Sequence, residues 1–165
     1  MKLLNKVNNF FVSLSTFKFI VTITVSMFLC SFILGVILDI LGIRFSGTSS
    51  YTSQAPLVSQ FILAVIISPI LETFLFQKCL IKILRKIDIL RRNNLMVVII
   101  SALIFGSQHF YDLGYIINTT IIGIFLSYSF VTYENKKISP FYVVCIIHSL
   151  KNFISFIIVC VLKWI

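Results

Sequence analysis

The stretch SPILETFLFQ, Ser68 to Gln77, sets a glutamate inside an apolar run. From Pro56 to Leu84 the chain is dominated by Leu, Ile, Val and Phe. If that run crosses a membrane, Glu72 lies in hydrocarbon, where a carboxylate costs about 2.5–3.5 kcal/mol on insertion scales. What the run folds into and why it keeps Glu72 are one question.

Composition settles the solvent. The 165 residues are 59% hydrophobic and 12% charged, with a mean hydropathy of +1.06. A soluble domain of this size exposes too large a share of its surface to hide so much apolar area. Lipid is therefore part of the solvent, and hydrocarbon excludes irregular backbone and open sheet edges. The expectation is an all-α integral membrane protein, a single helical domain over residues 1–165. A net charge of +9 would suggest nucleic acid in a soluble chain. Here the basic residues flank apolar runs, so anionic lipid headgroups are the expected partners and nucleic acid is not. Cys30, Cys79, Cys145 and Cys160 lie in apolar segments without a C-x-x-C pair, and read as small buried hydrophobes.

About five spans follow. They run from Phe17 to Ile43, Leu57 to Leu84, Leu95 to Tyr111, Leu113 to Tyr133 and Ile138 to Leu162. The first is too long for a signal-peptide core and is expected to stay as an anchor. Ahead of it, Leu3, Leu4, Val7, Phe10, Phe11 and Leu14 recur at helical spacing, with Lys2, Lys6 and asparagines opposite. That pattern predicts a helix lying on the membrane surface. Arg44 to Pro56 is a polar Ser/Thr/Gly-rich connector. The second span, about 42 Å long as one helix, exceeds a hydrocarbon core of about 30 Å. Pro69 offers a kink, or Ser68-Pro69 the start of a fresh helix.

Lys2, Lys6, Lys18, Lys82, Arg85, Lys86, Arg91, Arg92, Lys136 and Lys137 fall on one side of this arrangement. The positive-inside rule makes that side cytoplasmic, with the N-terminus, in a multi-pass protein of the cell membrane. Lys78, Lys82, Arg85 and Lys86 form one stripe, read as a basic interfacial helix whose side chains reach for headgroups.

Inside the spans the polar residues are few. The two histidines, His109 and His148, both fall in spans, and Glu72 is the one deep acidic residue of five. His148 and Asn152, four apart, share a helix face. Counting at about 1.5 Å per residue from the basic ends puts Glu72, His109 and His148 about 18, 21 and 15 Å deep. The three fall in one layer, and intramembrane ionisable groups default to a functional site.

The set PILETFLFQ, FGSQH and HSLKN resembles the CAAX protease and bacteriocin-processing family of intramembrane glutamic endopeptidases, also called the Abi family. Its motifs are E-E-x-x-x-R, F-x-x-x-H and H-x-x-x-N in that order. Glu72 matches the first glutamate, Phe105 and His109 the second motif, His148 and Asn152 the third. Thr73 and Gln77 stand where the family has its second glutamate and its arginine. The family-like core spans about residues 57–162.

The resemblance implies an intramembrane endopeptidase acting on a membrane-associated or leader-bearing peptide. Glu72 would be general base on a water, His109 would help to position it, and His148 and Asn152 would stabilise the oxyanion. Glu72, His109 and His148 are also a zinc set with an open position. No H-E-x-x-H is present, and the resemblance favours a metal-independent enzyme with no cofactor. A bacteriocin self-immunity or peptide-binding role without proteolysis is the alternative, and a non-catalytic scaffold or transporter subunit a third class. Small size and the lack of an inverted repeat argue against a complete transporter.

Overall fold

The computed structural model describes residues 2–45 and 56–161, with side chains for 6–45 and 56–159. The polar connector thus lies largely outside the described residues. Among those described, all regular structure is helical. We number the helices α1 (Lys2–Ser13), α2 (Thr16–Ile40), α3 (Leu57–Leu84), α4 (Asp88–Arg91), α5 (Asn94–Ser107), α6 (Leu113–Tyr133) and α7 (Pro140–Phe156). A further wide turn, Ile157–Val161, continues α7. α2, α3, α6 and α7 with its continuation to Val159 are long and apolar enough to cross a membrane.

The third expected span is shorter than its apolar run. α5 ends at Ser107, 14 residues or about 21 Å long. Residues 108–112 form a tight turn in which His109 N–H donates to Gly106 O and Tyr111 N–H to His109 O. Asp112 then opens α6 by accepting the N–H of Tyr115 at 2.7 Å, an N-cap that satisfies one of the orphan donors of a helix start.

α6 is the most enclosed of the spanning helices, and small residues let its neighbour approach. A Cβ on Gly106 of α5 would fall 2.9 Å from Thr120 Cα, and one on Gly123 of α6 3.1 Å from Ala102 Cα. Hydrocarbon gives helices no hydrophobic drive to associate, so such close packing supplies the contact energy. α2 contributes one stripe, Phe19, Ile23 and Met27, each fully buried at i, i+4 and i+8. Phe17 and Phe32 on its other sides are exposed, as lipid-facing residues should be.

α1 docks where the sequence expected a surface helix. Phe11 packs edge-on against Phe19 and Tyr128, and the Tyr128 hydroxyl donates to Asn8 Oδ1 at 3.1 Å. Lys136 donates to Val12 O and lies over the Tyr133 ring. The N-terminal helix and the α6–α7 connector therefore meet at one end of the bundle.

The basic stretch at that end is not one helix. α3 stops at Leu84 and a turn leads into the single turn of α4. Arg85 does not reach for headgroups: it pairs with Glu134 at 2.7 Å and donates to Arg91 O and Asn94 Oδ1. Partly exposed ion pairs contribute about 1 kcal/mol or less, so this cluster fixes a register more than it stabilises the fold.

α3 itself stays helical through Pro69, with Ile67 and Ser68 in helical conformation, so Ser68 starts no new helix. Two wide π turns, Ile62–Ile67 and Thr73–Cys79, interrupt its α geometry. Ser68 N–H bonds to Leu63 O and Leu80 N–H to Leu75 O, five residues back rather than four. A widened turn ahead of Pro69 eases the clash by which a proline otherwise breaks a helix.

Candidate active site

Glu72 is the last residue of the short α segment between the two π turns of α3. Its Oε2 lies 3.6 Å from His148 Nε2 and 4.0 Å from His109 Nε2. Two imidazoles from separate parts of the chain thus converge on one carboxylate oxygen. Glu72 is 25% exposed and His109 19%, whereas the His148 side chain is 4% exposed. The carboxylate is partly exposed, with His148 buried beside it.

Each group is held by its local structure. His109 sits just past α5, and the turn folds its ring back so that Nδ1 lies 2.9 Å from Phe105 O. A carbonyl only accepts, so Nδ1 carries the proton and Nε2 presents a lone pair toward Glu72. The Phe105 ring touches both histidines, with centroids 4.8 Å from His109 and 6.0 Å from His148. This phenylalanine, itself fully buried, spaces the two imidazoles. His148 is on the inner face of α7, beside Val144 and Ile147, and its Nδ1 meets no protein partner.

Asn152, expected in the same layer, makes its hydrogen bond elsewhere: Nδ2 donates to Ala64 O at 2.9 Å. Thr73 and Gln77, at the positions where the family motif has Glu and Arg, are fully buried. Neither amide atom of Gln77 has a protein partner. Among the described residues no three His, Cys, Asp or Glu side chains form a group that could hold a metal ion.

Two further residues belong to the site. Lys151, one turn beyond His148, is close enough for its charge to act on Glu72, His109 and His148. It stands inside the quoted HSLKN, and its place deep in an apolar span is the signal that could have marked it. Tyr115 of α6 lies with its ring 6.0 Å from His109 and within electrostatic reach of Glu72. No sequence feature distinguishes it from the other tyrosines.

One comparison agrees with the family resemblance. No curated protein and no solved structure matches the chain. The model of the family described as type II CAAX prenyl endopeptidase Rce1-like matches residues 54–154, which include Glu72, His109, His148 and Asn152. That match covers more than half of the 165 residues and takes in α3, α5, α6 and most of α7. The chain belongs to the Rce1-like family of type II CAAX prenyl endopeptidases, a family of membrane proteases.

Proposed function

We propose that this protein is a metal-independent intramembrane endopeptidase that hydrolyses a peptide bond in a membrane-associated or leader-bearing peptide. The observation that carries the reading is the convergence of two imidazole Nε2 atoms on one carboxylate oxygen of Glu72, at 3.6 and 4.0 Å. These separations exceed a direct hydrogen bond and suit groups that share a water. Glu72 and the lone pair of His109 are both acceptors, and a water molecule has one O–H for each. Its oxygen is then free to add to the scissile carbonyl carbon. The proton passes to Glu72, the C–N bond breaks, and Glu72 returns the proton to the leaving amine. His148, in the driest part of the site, stabilises the oxyanion through Nε2–H.

A purified preparation in liposomes tests this with membrane-anchored peptides. Cleavage is expected to proceed unchanged in a strong chelator. Loss of cleavage with chelator, restored by added zinc, would replace the glutamate mechanism by a zinc one on Glu72, His109 and His148.

The same reading includes an orientation in the membrane. We take the basic end, with α1 and the α3–α5 connector, as cytoplasmic. In Asn93→Cys an impermeant thiol reagent added to intact cells is expected not to react until the cells are opened. Ready labelling from outside would invert the topology.

A further inference from the structure

Glu72 sits between two π turns, and each of them leaves a carbonyl over. Ser68 N–H bonds to Leu63 O, and the next residue is Pro69, which has no N–H, so Ala64 O finds no backbone donor five residues on. After Leu80 N–H bonds to Leu75 O, return to α register passes over Phe76 O. In hydrocarbon such a carbonyl finds no water, and leaving it unpaired costs several kcal/mol. Side chains from neighbouring helices reach these two carbonyls. Asn152 of α7 donates to Ala64 O at 2.9 Å, and Ser101 of α5 donates to Phe76 O at 2.8 Å. Ser101 is fully buried and is held in turn by the Ser127 hydroxyl of α6 at 3.0 Å.

We propose that Ser101 and Asn152 are positioning residues that hold the π turns on either side of Glu72 and thereby aim its carboxylate at the histidines. The proposal rests on Glu72 acting as the base. A π turn adds one residue to the α count, and one residue is a rotation of about 100°. Losing either turn would swing Glu72 relative to His148 and His109 by that amount. Asn152 then acts through α3, and its placement in the motif beside His148 reflects which helix α7 must brace.

Two measurements test this. The chain has three alanines, Ala55, Ala64 and Ala102, so carbonyl-¹³C alanine labels three sites, with Ala64 assigned from Ala64→Gly. In Asn152→Leu, which keeps the size and removes the donor, the Ala64 carbonyl resonance is expected to move while that of Ala102 stays. In Ser101→Ala, kcat per folded molecule is expected to fall at least about 100-fold at unchanged KM, since a misplacement of even about 1 Å costs that much. Ser101→Thr retains the hydroxyl and should keep most of the rate. An unmoved Ala64 resonance, or wild-type kcat in Ser101→Ala, overturns the proposal. Full cleavage by Glu72→Gln would instead sink the base reading, and the Ala64 resonance would still report whether Asn152 holds its turn.

Discussion

Glu72→Gln is expected to lower peptide cleavage about 10²–10⁴-fold while leaving the helical bundle intact. The amide keeps the shape of the carboxyl group and loses only its ability to take a proton. Burying a neutral amide is cheaper than burying a carboxylate, so thermal stability in detergent should hold or rise. A purely structural Glu72 predicts the reverse. If it served only to pair with His148 and His109, at 3.6 and 4.0 Å, its loss would lower stability and spare turnover in the folded fraction. Measuring both quantities on one preparation separates the two.

The second large effect is expected at His148. Removing one oxyanion donor from a dry site costs about 10²–10³ in rate, and His148→Ala should lose that much. The imidazole is almost wholly buried against Phe105, so alanine also leaves a cavity and some stability is lost with it. His148→Gln, which fills more of the space, should be as inactive and better folded. If the protein protects a cell against a peptide by cutting it, both variants lose protection while their amount in the membrane stays constant. Protection surviving in His148→Ala and in Glu72→Gln would mean that the protein works by binding alone, as in an immunity protein without proteolysis.

Much of this arrangement is legible in the residues. Unbroken apolar runs mark α2, α3, α6 and α7, because hydrocarbon leaves such runs no alternative to the helix. Counting residues from the basic ends placed Glu72, His109 and His148 in one layer, and the structure joins them on one carboxylate oxygen. What escaped the reading depends on contacts distant in sequence. Arg85 looks like one more interfacial cation until Glu134, 49 residues on, takes it. Asn152 reads as a partner of His148 because they share a face, yet its amide serves Ala64, 88 residues earlier. The π turns leave no periodic trace, since one inserted residue shifts an apolar pattern that is apolar all round. Pro69 announced unusual backbone near Glu72 without saying whether it would be a kink, a fresh helix or a wide turn. His109 was placed within a span, whereas the helix ends two residues before it, and that turn is what folds Nδ1 onto Phe105 O.

The central claim is that Glu72 activates water to hydrolyse a peptide bond. It is tested most directly by cleavage in ¹⁸O-labelled water, with the products weighed by mass spectrometry. The wild-type protein in liposomes should place one ¹⁸O in the new carboxyl group of a membrane-anchored peptide, and folded Glu72→Gln should yield almost no such product in the same time. Labelled product formed by Glu72→Gln at the wild-type rate would contradict the account.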